Sequence, residues 1–227
     1  MAVKDCLNGG RTRGEHPAVP QTPAELAADA IAVRRAGAFG VHVHPRDPGG
    51  SQTLDAAACD AAVAAIRAAV PGARIGFSIT EALERDPFAR AAAVKSWQRP
   101  PDFVSVNLSG LGWAGIVRAA LHADIGVEAG LARPADADEL ARSPFVHQLV
   151  RAPVEVGGGV EDARGVAQLI PAGVPHCGTA TASVHGRSWP PARPRDTTSA
   201  WALKMCSCCP TAVLRRVTPS SSLPSWS

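Results

Sequence analysis

The chain has 227 residues, 46% of them apolar and 19% charged, which suits an ordinary globular protein long enough to bury a core. No run nears the roughly 20 apolar residues of a membrane span. The formal charge of +3 is unevenly spread: residues 1–174 carry 17 Lys/Arg against 19 Asp/Glu, and residues 175–227 carry 6 against 1.

The opening MAVKDCLNGGRTRG contains Asp5 and no apolar stretch of signal-peptide length, so no secretory signal is read there. The six cysteines form no spaced framework, and a reducing cytoplasm is the expected setting. AVKDCLN is the first predicted strand, broken by Gly9-Gly10. Thr22-Pro23-Ala24-Glu25 signals a helix start, with Thr as N-cap, Pro at the first helical position and Glu at the third. The helix runs to Gly37, and AFGVHVH follows as a buried strand closed by Pro45 and the turn DPGGS.

TLDAAACDAAVAAIRAAV is helical up to Pro71-Gly72, ARIGFSIT is a strand, and Asp86-Pro87 opens the helix DPFARAAAVKSW. FVSVNLSG, IGVEAGL and HQLVRAPVEV are further strands, each followed by a helix: WAGIVRAALHA, ADADELARS and VEDARGVAQLI. Six β/α units in succession predict a parallel α/β sheet with right-handed crossovers. Units under about 30 residues fit three quarters of a (β/α)8 TIM-type barrel at least as well as an open sheet. No G-x-G-x-x-G follows the first strand and no G-x-x-x-x-G-K-[ST] occurs, so a nucleotide-phosphate loop is unsupported.

The strongest chemical signal is His42-Val43-His44-Pro45-Arg46-Asp47 at the C-terminal end of the second strand. Alternate residues of a strand share a face, so the two imidazoles project together at the end where barrel enzymes place their sites. Two such imidazoles suit zinc, with a third ligand supplied from elsewhere; two buried, hydrogen-bonded histidines are the plainer alternative. Polar residues end the neighbouring strands too: Asn8 and Arg11, Ser78 and Thr80, Ser105 and Asn107, Glu128, then Arg151 and Glu155. Each alone suits a cap or a backbone contact, but their convergence suits a site for an anionic, oxygen-rich substrate.

CLNGGRTRGEHPAVPQTPAELAADAIAVRRAGAFGVHVHPRD, together with FVSVNLSG and GVEAGLARPADADEL, resembles the β-keto acid cleavage enzymes of the 3-keto-5-aminohexanoate type. The likeness covers about residues 3–174 and rests on L-N-G-G-x-T-R, P-x-T-P-x-E and V-H-x-H-x-R-D. It implies a (β/α)8 barrel holding Zn2+ through His42, His44 and a Glu near the last strand. It further implies an acyltransferase activity, in which a β-keto acid and acetyl-CoA give acetoacetate and a new CoA ester. Substrate contacts from Ser78, Ser105 and Asn107 are implied as well, and Arg11 and Glu128 are taken as further substrate-binding candidates. A role in amino acid catabolism, a homo-oligomeric state, and no partnership with nucleic acid or membrane complete the expectation.

Two departures stand out. Where the aminohexanoate enzyme has a Glu for the substrate's ammonium, this chain has Arg11, a fixed cation that favours a carboxylate or neutral polar tail. The turn after the third strand reads Ser78-Ile79-Thr80-Glu81 in place of an S-T-G-G-like sequence. The family's G-L-E-D motif, with its third metal ligand and adjacent acid, is missing from residues 175–227, so no catalytic acid is assigned.

Those last residues hold 9 Ser, 7 Pro, 4 of the 6 Cys and 3 of the 5 Trp, with no periodicity of strand or helix. The genetic code gives a reason. If each codon's third base is joined to the first two of the next, the His176/Cys177 junction must encode Leu, Trp201/Ala202 Gly, Met205/Cys206 Val and Cys208/Cys209 Leu. Leu203/Lys204 permits Glu, and Lys204/Met205 must encode Asp or Asn. The shifted frame from Asp196 thus permits H-D-V-R-V-G-L-E-D-V-L-L-L, an eighth strand carrying the missing acids. The expectation is therefore a partial barrel over 1–174 and an out-of-frame, poorly ordered tail over 175–227. An amidohydrolase-like metal hydrolase and a non-catalytic product of a damaged gene are the alternatives; the first would need further His and Asp on later strands.

Overall fold

The computed structural model describes residues 4–155, 160–181 and 204–207. Five strands pair in parallel and in sequence order: β1 (Lys4–Cys6), β2 (Gly40–Val43), β3 (Arg74–Ile79), β4 (Phe103–Asn107) and β5 (Gly126–Gly130). The next strand, β6 (Ala152–Val154), continues the order through parallel bridges Glu128↔Arg151 and Leu131↔Val154. Hydrogen bonds such as Leu131 N–H to the Pro153 carbonyl, 2.9 Å, tie it to β5. Helices α1 (Pro23–Arg35), α2 (Ala56–Ala69), α3 (Pro87–Ser96), α4 (Trp113–His122), α5 (Pro134–Arg142) and α6 (Val160–Gln168) follow the strands one by one. These are six successive β/α units of an incomplete (β/α)8-type barrel, the architecture the alternating pattern predicts.

Helix starts follow local chemistry. Thr22 and Glu25 form the expected capping box around Pro23, and the Asp86 carboxylate accepts the Phe88 N–H ahead of α3. Asp55 caps α2 through Ala57 and Ala58. One boundary differs: the predicted strand over 147–156 is a strand at Ala152–Val154 alone. Gln148 N–H turns back to the Phe145 carbonyl, and the ladder to β5 starts with Val150 N–H on Val127.

Alternation divides each strand between two surroundings. Val41, Val43, Ile75, Phe77, Ile79, Val104, Val106 and Val127 pack with helix residues such as Val63, Ile66, Val94 and Ile116. The opposite face carries Lys4, His42, Ser78, Phe103, Ser105 and Glu128. Gly76 belongs to that face, and the Phe103 ring occupies the space its Cβ would need.

Two strands lie in the stretch expected to give none. β7 (His176–Thr181) pairs parallel to β6, and β8 (Lys204–Ser207) pairs antiparallel to β7 and packs against β1. β6 thus has a strand neighbour in β7, while no hydrogen-bonded pairing joins β8 to β1 among the described residues. Both segments are free of proline, so every residue in them keeps the N–H that a ladder needs. The eighth strand of a (β/α)8 barrel runs parallel to its neighbours; β8 runs antiparallel to β7. Among the described residues, no helix is long and apolar enough to cross a membrane.

Candidate active site

Strand register assembles the candidate residues into rows. Ser78 pairs with Ser105, Ser105 with Glu128, and Glu128 with Arg151, so β3 to β6 present one polar row. His44 follows Val43, whose partner is Phe77, and so stands level with Ser78. His42 lies one row below, opposite Gly76, and Asn107 lies one inward position above Ser105, opposite Gly130. Gly130 leaves room for the Asn107 amide, since a Cβ there would approach Asn107 Oδ1 to 2.5 Å and the amide would have to move.

His42 and His44 are both buried, with ring centroids 5.3 Å apart and planes inclined at 67°. β2 ends at Val43 because the His44 backbone leaves the ladder. Its N–H goes to Asn8 Oδ1 at 2.9 Å and its carbonyl accepts from Asn8 Nδ2 at 2.9 Å. His44 Nδ1 lies 2.6 Å from Gln52 Oε1. Two buried imidazoles side by side are a donor set that suits zinc. A complete set is not present: among the described residues no group of three His, Cys, Asp or Glu side chains could hold a metal ion. The pair fits two positions of such a site, and the third ligand named by the resemblance falls on the missing motif.

Arg46 joins the motif to the loop after β1. Its buried guanidinium donates to the carbonyls of Gly9, 2.8 Å, and Arg11, 2.7 Å. Burial draws its pKa below the usual value, partly offset by Asp47 and Glu15. The Arg11 side chain is exposed and pairs with Glu15 at 2.9 Å. It sits on the loop above the rows, not in them.

Glu128 is wholly buried and heavily engaged. Lys4 and Ser105 reach Oε2, the latter at 2.6 Å, and Arg151 reaches Oε1 at 2.5 Å. Burial alone would raise its pKa, but the Lys4 and Arg151 charges hold it below the usual carboxylate range. Lys4 Nζ lies 5.3 Å from the Phe103 ring centroid, and Arg151 lies over both Phe39 and Phe103. Sequence reasoning did not anticipate Lys4 or Gln52. Lys4 carried no signal beyond a charge in an apolar strand, and Gln52 none beyond its nearness to the motif.

A barrel with paired histidines above its second strand defines a class of candidate metal-site proteins. The family model of the β-keto acid cleavage enzymes matches residues 2–157, and the chain belongs to that family. No curated protein matches the chain in sequence. Among solved structures, a binary complex of ObcA with oxaloacetate is similar at TM-score 0.48 and 19% identity, over 59% of this chain and 35% of that one. A ternary complex of ObcA with a C4-CoA adduct and oxalate is similar at 0.47 and 20%, over 62% and 37%. A mandelate racemase/muconate lactonizing enzyme from Sorangium cellulosum is similar at 0.47 and 16%, over 74% and 43%. The matches thus span less than half the length of each of these structures.

Proposed function

We propose that the chain derives from a zinc-dependent β-keto acid cleavage enzyme, an acyltransferase that exchanges acyl groups between a β-keto acid and acetyl-CoA. The reaction R–CO–CH2–COO− plus acetyl-CoA gives CH3–CO–CH2–COO− plus R–CO–S-CoA, with one carbon–carbon and one thioester bond broken and remade. The observation that carries the reading is the buried His42–His44 pair at the mouth of the barrel in a chain of this family.

His42 and His44 would hold the metal, which when bound supplies a Lewis acid for the keto acid's oxygens. Ser78 and Asn107 offer hydroxyl and amide donors to the substrate's carboxylate and carbonyl, and Ser105, whose proton goes to Glu128, presents its oxygen as an acceptor. Glu128 contributes through Ser105, whose hydroxyl it orients. Arg11 favours substrates that end in a carboxylate or a neutral polar group.

Residues 1–174 form the catalytic part in this reading, and residues 175–227 are the out-of-frame translation of its end. Activity is impaired accordingly, since the third metal ligand and the acid beside it are lost. The test is an exchange assay with a panel of β-keto acids, acetyl-CoA and zinc, run on this chain and on the chain with the frame restored. Acetoacetate and a new CoA ester from the restored chain are expected. No turnover by the restored chain on any β-keto acid would overturn the reading.

A further inference from the structure

We propose that Gln52 is a positioning residue for His44, fixing which ring nitrogen carries the proton and which one faces a ligand. The inference rests on the metal reading above for its purpose, and on the geometry of the loop for its content.

The segment after the histidines doubles back as a small hairpin. Asp47 N–H bonds the Ser51 carbonyl at 2.9 Å, Gly50 N–H bonds the Asp47 carbonyl at 2.9 Å, and Arg46 pairs antiparallel with Gln52. Thr53 N–H then bonds the Pro45 carbonyl at 3.0 Å. Gly50 takes φ +85°, a left-handed conformation that glycine adopts without strain. The Asp47 side chain closes the turn on Ser51 N–H, 2.9 Å. The outcome is that Gln52, eight residues past His44, returns to its ring.

The contact has a direction. Gln52 presents Oε1 to His44 Nδ1 at 2.6 Å, while Nε2 points towards Gly10, whose Cβ would lie 3.7 Å from it. An amide oxygen carries no proton, so the ring nitrogen must donate. A neutral His44 is therefore the Nδ1–H tautomer, with its lone pair on Nε2. A ligating histidine in metal sites is held in this way, its second N–H donated to an oxygen that sets tautomer and ring plane. With Asn8 holding the His44 backbone and Gln52 its ring, both ends of the residue are fixed before any ligand arrives.

The experiment reads the tautomer directly, in the full chain, without metal and without turnover. Long-range proton–nitrogen NMR at about pH 8, where imidazoles are neutral, separates protonated from unprotonated ring nitrogens. Loss of signals in His44→Gln assigns the residue. The expected result is Nδ1–H in the unaltered chain, a mixture of tautomers in Gln52→Leu, and Nδ1–H again in Gln52→Glu, which restores an acceptor. Zinc titration of the same substitutions in the frame-restored chain should show affinity lowered about 10- to 100-fold in Gln52→Leu and retained in Gln52→Glu.

His44 protonated at Nε2 in the unaltered chain would overturn the proposal, as would a tautomer indifferent to Gln52→Leu. Failure of the frame-restored chain to bind zinc, with the Nδ1–H tautomer intact in the unaltered chain and lost in Gln52→Leu, would overturn the metal reading and leave Gln52's role supported.

Discussion

The side-chain amide of Asn8 pairs with both backbone groups of His44: Nδ2 donates to the carbonyl at 2.9 Å and Oδ1 accepts the N–H at 2.9 Å. The second Nδ2 proton goes to the Pro20 carbonyl at 3.1 Å. One buried amide thereby ties the end of β1, the loop before α1 and the end of β2. An amide is the side chain that can do this, since it offers donors and an acceptor from one planar group.

Asn8→Ala leaves those backbone groups buried without these partners, at a cost on the order of 1–3 kcal/mol per group. Asn8→Asp keeps the acceptor but turns a carboxylate oxygen towards two carbonyls. Urea unfolding should show both variants destabilised, by at least about 2 kcal/mol for Asp. Stability equal to the unaltered chain in both would remove the amide's role.

In the Lys4–Glu128–Arg151 group, Lys4 reaches Glu128 across 124 residues of sequence, and the group joins β1 to β5 and to the start of β6. Ion pairs of this kind add little when whole but cost much when broken, because a buried charge is left without its counter-ion. Glu128→Gln strands two cations among Phe39 and Phe103. The expected loss is about 3–5 kcal/mol by urea unfolding. Lys4→Met combined with Glu128→Gln should recover part of it, and a double variant less stable than Glu128→Gln alone would refute the pairing.

Two carboxylates on the other side of β1 set a pH dependence. Burial, against a weaker pull from the Cys6 backbone, raises Asp5 to about 6. Burial together with the charges of Asp5 and Glu25 raises Asp29 to about 6. The folded chain binds these protons more tightly than the unfolded chain does. Their stabilising effect is therefore full below about pH 4 and lost as pH rises through about 6. Glu128 acts in the opposite sense: its lowered pKa adds stability at higher pH, which is lost as acid protonates it.

Urea midpoints should thus fall between about pH 5 and about pH 7.5, and Asp5→Asn should flatten that fall by on the order of 2 kcal/mol. The same pH slope in Asp5→Asn and in the unaltered chain would show that burial does not trouble this carboxylate.

What the sequence disclosed is what local chemistry controls. Thr22, Pro23 and Glu25 announce α1 because a capping box is a contact within four residues. His42 and His44 share a face because strand period is fixed. The row Ser78–Ser105–Glu128–Arg151 could be foreseen as polar strand ends, since inward positions alternate with the valines that face the helices. The partners of Glu128 could not, because Lys4 meets it across the barrel and its register depends on closure. Gln52 was hidden for a smaller reason: the hairpin that returns it to His44 is set by Asp47 and Gly50, and turn residues do not say what they bring back. β7 and β8 escaped because periodicity was weighed over the whole of residues 175–227, while these strands take just six and four residues.

Arg11 provides a test of substrate choice. Its loop is anchored by Arg46 on the carbonyls of Gly9 and Arg11, so its side chain projects from a fixed base. In the frame-restored chain, Arg11→Glu should reverse the preference between a β-keto dicarboxylate and an amino-bearing β-keto acid, through repulsion of one tail and pairing of the other. The comparison is of kcat/KM ratios, and an unchanged ratio would separate Arg11 from specificity.

The last prediction concerns the metal and the end of the chain. In this structure β8 is Lys204–Ser207, antiparallel to β7, where a (β/α)8 barrel has a parallel strand. The Leu203/Lys204 junction is also where the shifted frame permits Glu, followed by Asp or Asn at Lys204/Met205. A single-base correction near codons 172–176 would therefore replace the antiparallel β8 with a segment that can carry a third metal ligand. A site with two imidazoles holds zinc weakly, and adding a carboxylate completes the three protein ligands usual in a catalytic site. After dialysis against a mild chelator, the chain as it stands should retain far less than one zinc per molecule. The corrected chain should retain about one, and should unfold at higher urea as the bound metal adds to its stability. Stoichiometric zinc in the uncorrected chain would show that its own residues complete the site, and a corrected chain without zinc would show that the shifted frame is not the missing end.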